Sequence, residues 1–332
     1  GMSLAIYWVG SYLINEASMF DKMEIFGNMV VFSSYAIQVI MSFMMLVMIF
    51  MMMPTAQISA ERINQVLETK PEIKEGDKDT AVEKGTVEFK NVSFRYPESA
   101  QNELTDVSFK VNKGETLAII GATGSGKTTL ISLIPRFYDA TEGEVLVDGI
   151  NVKDYTFDAL YNRLGYVTQK AVLFSGSISD NITFGESACE ISKDGVDKAV
   201  TLAQAKEFVD KLEDGADYKI AQGGRNVSGG QKQRLSIARA LARGAEILIF
   251  DDSFSALDYR TDAALRNGLA ENLSDTTKII VAQRVSTIRH ADRILVMDDG
   301  KIVGNGTHEE LMKTCNIYRE IANSQLSEKE LA

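Results

Sequence analysis

The sequence has few cysteines and more acidic than basic side chains. Its 332 residues include two cysteines, Cys189 and Cys315. So few thiols cannot build a disulfide framework, and they favour a reduced, cytosolic environment. Neither cysteine has a second Cys or a His at metal-ligand spacing, which argues against a zinc site. The formal net charge of −11 argues against broad binding to nucleic acid, which requires a basic face.

Charge is also missing from a long apolar segment near the N-terminus. No Asp, Glu, Lys or Arg occurs from Ile25 to Ala60, and residues 29–53 are almost wholly apolar. A helix needs about 20 such residues to cross a bilayer, so this segment predicts a membrane helix. The alternative is a buried helix of a soluble protein, although such a helix usually carries a polar stripe. A shorter apolar run, Leu4 to Ile14, predicts part of a second membrane helix.

The length allows about two domains. The helical pattern continues after Pro54 and is ended by Lys70 and Pro71. We expect a fragment of a transmembrane domain over residues 1–70, containing the end of one helix and one complete helix with a cytoplasmic extension. A charged linker follows over residues 71–84. Strand patterns then alternate with helical patterns over residues 85–332, which is typical of an α/β domain.

The most informative stretch is residues 121–129, GATGSGKTT, between an apolar strand run and a helical run that continues through residues 130–134. Glycine, four residues, then Gly-Lys-Thr is the P-loop pattern in its required strand–turn–helix setting. Lys127 is expected to reach the outer phosphates of ATP, and Thr128 to ligate Mg²⁺. The alternative is a glycine-rich turn that binds nothing. The predicted ATP-binding residues here are Gly121, Thr123, Gly124, Ser125, Gly126, Lys127, Thr128 and Thr129.

A second apolar strand ends in two carboxylates. Residues 246–252 read EILIFDD, and Asp251 at the tip can hold Mg²⁺ through water. The alternative is a strand followed by an acidic turn without a metal.

Residues 226–234, NVSGGQKQR, precede a strong helical run. Ser228 stands where a helix cap belongs, and Gly229 and Gly230 leave the first N–H groups of the helix open to an anion. The segment resembles the Leu-Ser-Gly-Gly-Gln signature of the ATP-binding cassette (ABC) family, with Val227 in place of the leucine. The resemblance implies that Ser228, Gly229, Gly230 and Gln231 contact ATP.

Three further motifs resemble the same family and occur in its order. Residues 92–96, VSFRY, resemble the loop whose aromatic residue, here Tyr96, stacks on adenine; Tyr96 alone would also suit a core position. Residues 166–169, YVTQ, resemble the loop whose glutamine, here Gln169, senses Mg²⁺ and the membrane domain. Residues 255–258, SALD, resemble the loop that links two nucleotide sites through Asp258.

The resemblance extends to the N-terminal part. Residues 5–13 and 34–38 are similar to the last two membrane helices of exporter half-transporters of this family. The resemblance implies a multi-pass protein of the cell membrane with a cytoplasmic nucleotide-binding domain. This chain would be the C-terminal part of that protein. That domain should have a P-loop NTPase fold with a parallel-sheet core, an antiparallel β-subdomain near 86–115 and a helical subdomain near 170–240.

The implied activity is ATP hydrolysis that drives export. Cassettes of this family pair head to tail, with each ATP between one P-loop and the opposite signature. The implied partners are therefore a second half-transporter, membrane lipid and a transported substrate.

Two residues depart from the family's pattern. Asp252 stands where the family carries a catalytic glutamate, and its carboxylate is one methylene shorter, a misplacement that costs about a hundredfold in rate. Gln283 stands where the family carries a switch histidine, and glutamine carries no titratable proton. We therefore expect Asp252, Gln283 and Gln169 to form an impaired catalytic site, in one half of a heterodimer or, alternatively, of a homodimer. The other possibility is that Asp252 and Gln283 serve adequately.

Two rival functions remain. An ATP-dependent regulatory clamp would bind the nucleotide without useful turnover. A DNA-associated cassette ATPase is disfavoured by the apolar N-terminal segment and by the net charge of −11.

Overall fold

The computed structural model describes residues 1–81, 83–185 and 191–325. Its contacts divide the chain into two compact units, Gly1–Glu72 and Ile73–Ala332. Of the two cysteines, Cys315 is buried and unpaired, and Cys189 lies outside the described residues.

The N-terminal unit consists of two helices, α1 (Met2–Glu16) and α2 (Lys22–Glu68). Helix α2 has 47 residues, which corresponds to roughly 70 Å at the usual rise, and it continues through Pro54. Its most apolar window has a mean hydropathy of 2.3 and none of it is buried, which is unlike a core helix of a soluble protein. By length and composition, α2 is one candidate membrane span.

The C-terminal unit is an α/β fold. Its strands are β1 (Val87–Phe94), β2 (Leu104–Val111), β3 (Thr116–Gly121), β4 (Glu142–Val147), β5 (Ile150–Asn151), β6 (Leu164–Val167), β7 (Gly176–Ser177), β8 (Lys219–Ile220), β9 (Ile247–Asp251), β10 (Thr277–Val281), β11 (Arg293–Asp298) and β12 (Lys301–Gly306). Its helices are α3 (Lys127–Ser132), α4 (Phe157–Arg163), α5 (Ile178–Ile182), α6 (Lys193–Leu202), α7 (Lys206–Val209), α8 (Gly229–Ala242), α9 (Tyr259–Asn272), α10 (Val285–Ile288), α11 (His308–Thr314) and α12 (Asn316–Gln325).

The central sheet has six strands in the order β12-β11-β3-β10-β9-β6. Five of these run parallel, and β12 is antiparallel to β11, so the core sheet is mixed and not wholly parallel. The reason is local. Asp299 and Gly300 both have positive φ, 45° and 71°, which suits a two-residue hairpin, and only antiparallel strands can be joined so tightly.

The second sheet is antiparallel, with the order β2-β1-β4-β5. It reaches beyond the expected span of 86–115, because β4 returns to pair with β1 after the P-loop and its helix. The two sheets and α3 enclose one apolar core, which includes Phe89, Leu117, Leu130 and Ile249. The other face of the central sheet is covered by a second core, to which the helices between residues 178 and 240 contribute.

Helix α3 is shorter than the predicted helical run. It ends at Ser132, and the following N–H groups of Leu133 and Ile134 bond three residues back instead of four. Pro135 explains this, because proline has no N–H group and disfavours helical geometry in the residue before it.

Candidate nucleotide site

The P-loop joins the end of β3 to the start of α3. Gly124 and Gly126 have φ of +85° and +89°, a conformation that residues with a Cβ rarely adopt. A Cβ on Gly121 would lie 2.2 Å from the carbonyl oxygen of Met297, so glycine permits the contact between β3 and β11. Among the described residues, no atom lies within 4 Å of a Cβ built on Gly124, so the turn is open at its tip.

Lys127, the first residue of α3, folds back over the P-loop. Its ammonium donates to the carbonyl oxygens of Gly121 at 2.9 Å and Ala122 at 2.6 Å, and to the Ser125 hydroxyl at 3.3 Å. Burial lowers the pKa of Lys127, and the charges of Asp252 and Asp251 oppose that shift. The partly buried ammonium is held only by neutral oxygens among these contacts, and such a cation fits an anionic ligand.

Thr128 and Asp251 meet directly. The Thr128 hydroxyl donates to Asp251 Oδ1 at 3.1 Å, and Asp251 is 4% exposed at the end of β9. Burial raises the pKa of the Asp251 carboxyl, and the hydrogen bond from Thr128 lowers it. Where the chain is described, no group of three or more His, Cys, Asp or Glu side chains is placed to hold a metal ion by itself. This sparse oxygen pair fits Mg²⁺, which binds one or two protein oxygens together with substrate phosphates.

The side-chain amides of Gln169 and Gln283 both point at one carboxylate oxygen of Asp252. Asp252 Oδ2 accepts from Gln283 Nε2 at 2.7 Å and from Gln169 Nε2 at 3.3 Å. Burial raises the pKa of Asp252, whereas the hydrogen bond from Gln169 lowers it. The three residues predicted to be catalytic are thus neighbours, and two neutral amides hold the carboxylate.

The central sheet explains why distant residues meet here. Val281 in β10 stands beside Asp251 in β9, and Val167 in β6 stands beside the next residue back, Phe250. Parallel strands end at the same edge of a sheet, and ligands bind outside that edge in open α/β sheets. Gln169 and Gln283 follow two residues after their strands.

Tyr96 lies against the P-loop helix. Its hydroxyl is 3.0 Å from the Thr129 hydroxyl, and its ring makes edge contacts with Phe94 and Tyr138, at centroid distances of 4.9 and 5.1 Å. The side chain is half-buried, which leaves part of its surface open to a ligand. Its role in stacking on adenine stays a prediction.

The signature forms the start of α8. Ser228 and Gln231 form a capping box: the Ser228 hydroxyl accepts from the Gln231 N–H, and Gln231 Oε1 accepts from the Ser228 N–H at 2.8 Å. Ser228 and Gly229 are exposed, and the space around a Cβ on Gly229 is open. Asp258 caps α9 by accepting from the Thr261 N–H at 3.0 Å. In the described part of the chain, no hydrogen bond joins these motifs to the P-loop.

One contact of this site was not predicted. Gln325, at the end of α12, bonds the backbone on both sides of Arg284 and so reaches the loop of Gln283. No motif marks Gln325, because the contact depends on how α12 packs.

Comparisons with known proteins show what this chain is similar to. The profile of the ABC transporter family matches residues 104–255. An uncharacterised ABC transporter ATP-binding protein of Mycobacterium tuberculosis is 42% identical over 327 residues, which cover 97% of this chain and 55% of that protein. An ATP-dependent lipid A-core flippase of Xanthomonas campestris is 38% identical over 305 residues, which cover 92% of this chain and 51% of the flippase.

Among solved structures, a bacterial Atm1-family ABC exporter with ATP bound is similar. The TM-score is 0.79 at 32% identity, and the match covers 98% of this chain and 58% of the exporter chain. The chain therefore spans little more than half the length of these relatives.

Proposed function

We propose that this chain, which contains an ATP-binding domain of the ABC transporter family, is the ATP-binding and ATP-hydrolysing part of a membrane exporter subunit. The observation that carries the proposal is the convergence of Lys127, Thr128, Asp251 and Asp252 at one edge of the central sheet. The N-terminal unit supports the exporter assignment, since α2 is long and apolar enough to cross a membrane. On this proposal, residues 1–70 belong to a multi-pass membrane domain, and residues 71–84 link it to a cytoplasmic domain over residues 85–332.

The residues of the P-loop have separate roles in binding. The backbone N–H groups of the loop and the Lys127 ammonium would hold the phosphates, and Tyr96 would contact the adenine. Thr128, Asp251 and Gln169 would hold Mg²⁺, which neutralises charge on the transferring phosphoryl group when bound. The open tip at Gly124 and the partly buried cation of Lys127 support this assignment.

Hydrolysis at this P-loop should be slow. A base that polarises the attacking water needs a free carboxylate oxygen at the right distance. The carboxylate of Asp252 is one methylene shorter than the family's glutamate, so Gln283 and Gln169 orient it through Oδ2 about 1 Å short of the attacking water. Gln283 also has no proton to give or take near neutral pH. This chain therefore binds ATP at its own P-loop and hydrolyses it slowly.

The signature is proposed to act on a second subunit. Ser228 and Gly229 are exposed at the N-terminal end of α8, where N–H groups favour an anion. In a head-to-tail pair, they would complete the partner's ATP site. We propose a heterodimer, in which the partner carries glutamate and histidine at the positions of Asp252 and Gln283.

The test measures phosphate release by the assembled pair. We expect Ser228→Ala or Gly229→Asp to abolish most hydrolysis, because the competent site loses its signature. Lys127→Ala should only weaken hydrolysis, because it disables the slow site. The matched control is Lys113→Ala, an exposed lysine outside the site. Equal losses from Ser228→Ala and Lys127→Ala would contradict the proposed asymmetry.

A further inference from the structure

The last described residue of α12 bridges the loop that carries Gln283. Gln325 Oε1 accepts from the Val285 N–H at 2.9 Å, and Gln325 Nε2 donates to the Gln283 carbonyl oxygen at 2.8 Å. One primary amide therefore bonds the backbone on both sides of Arg284. These are main-chain contacts, so they fix the path of the loop and not one side chain.

The loop needs such a partner. Helix α10 begins at Val285, and its N-cap residue, Arg284, supplies no side-chain hydrogen bond. The first N–H groups of a helix have no partner inside the helix. Gln325 supplies that partner from a position 40 residues further along the chain.

Helix α12 is itself firmly attached. Its residues Tyr318 and Ala322 are fully buried in the core that also contains Val285 and Ile288. The Tyr318 hydroxyl lies 2.7 Å from Nδ1 of His308 in α11. Gln325 therefore holds the loop from a helix that is anchored in the domain core.

We propose that Gln325 is a positioning residue for Gln283. The Gln283 side chain reaches Asp252 Oδ2 at 2.7 Å, and its direction depends on the backbone that Gln325 holds. The catalytic meaning of this contact rests on the function proposed above. The contact itself does not, so the two can be tested apart.

The first measurement is hydrogen–deuterium exchange of the full chain in detergent without nucleotide. Gln325→Ala should raise the exchange rate of the Val285 amide about fivefold, since an average hydrogen bond corresponds to about that factor. Gln325→Glu keeps an acceptor for Val285 but loses the donor to Gln283, and it should protect the Val285 amide at least partly. Ser324→Ala is the matched control, because its hydroxyl bonds the Ile321 carbonyl and no other atom of the described residues. Exchange in residues 121–132 should not change in any variant.

The second measurement is ATP turnover by the assembled protein. Gln325→Ala should lower turnover at this chain's P-loop about three- to tenfold without changing the affinity for an ATP analogue. In a Gln283→Ala background, it should lower turnover no further. Unchanged exchange at Val285, or an equal loss of turnover in both backgrounds, would overturn the inference. Absence of hydrolysis in the unaltered assembly would refute the proposed function instead, while the exchange result still decides the role of Gln325.

Discussion

Replacing Asp252 with glutamate and Gln283 with histidine should raise ATP turnover at this chain's own P-loop. The backbone of Asp252 is held on both sides: its N–H donates to the Val281 carbonyl at 3.0 Å, and its carbonyl accepts from the Ser255 hydroxyl at 2.7 Å. An added methylene therefore extends the carboxylate outward instead of moving the chain. The extension restores a reach whose loss corresponds to about a hundredfold in rate.

The histidine should add to this gain. Gln283 donates to Asp252 at 2.7 Å, and a histidine at the same place can donate a similar bond and also carry a proton. Positioned acid–base groups contribute about 10²- to 10⁴-fold. The two estimates describe the same step and cannot simply be multiplied. We therefore expect the double variant to raise ATP turnover by at least about a hundredfold.

The assay is phosphate release by the pair, with the partner's P-loop lysine replaced so that only this site turns over. The control changes the same residue types elsewhere, Asp275→Glu with Gln101→His, at exposed positions. Positive φ at Asp252, 47°, suits aspartate better than glutamate, so a stability cost of about 1 kcal/mol should accompany the gain. The reasoning is refuted if the double variant binds ATP as tightly as the unaltered chain and releases phosphate no faster.

Two further predictions concern stability. Burial holds the folded-state pKa of Asp251 above its ordinary 3.8, so the folded state keeps this proton longer, and the free energy of unfolding falls as the pH rises through that raised value. Asp251→Asn should flatten this slope in urea unfolding at pH values above the ordinary 3.8 and abolish Mg²⁺-dependent ATP binding; an unchanged slope would show that Asp251 is not its source. Gly126→Ala should lower the free energy of unfolding by about 1–2 kcal/mol, because φ is +89° and the new Cβ would lie 2.9 Å from Leu104 Cδ2. The control is Gly223→Ala, which has φ of +67° in open space, and equal losses in both would mean that the contact with Leu104 costs nothing.

The parts of the site that the sequence predicts are those that short segments specify. The P-loop needs a strand, a glycine turn and a helix within residues 116–132, and the strand that ends at Asp251 is apolar up to that residue and buried throughout. Both patterns are local, so both could be predicted. The end of α3 could also have been placed better, since Pro135 is visible in the sequence.

What the sequence does not predict depends on pairing between distant segments. Strand β4 follows the P-loop helix in sequence but pairs with β1 in the antiparallel sheet. The sequence of residues 142–147 does not indicate this pairing. The same holds for the two-stranded pair of β7 and β8, whose strands have two residues each. Gln325 is the strongest case. Its side chain bonds main-chain atoms, which are the same in every residue, so no sequence motif marks the contact.

We expect Asp252 and Gln283, the two departures from the family's pattern, to act as one unit. Asp252 is short and Gln283 is a neutral donor, and the 2.7 Å bond between them is a contact in which each residue suits the other. Asp252→Glu alone would push an oxygen toward an amide that is already at contact distance, while Gln283→His alone would leave a carboxylate that is too short. Residues in one hydrogen-bond network are coupled by about 0.5–3 kcal/mol, so the effects of the single variants should not add up to that of the double variant. A double-mutant cycle in turnover measures this coupling, and additive effects would mean that Asp252 and Gln283 act independently.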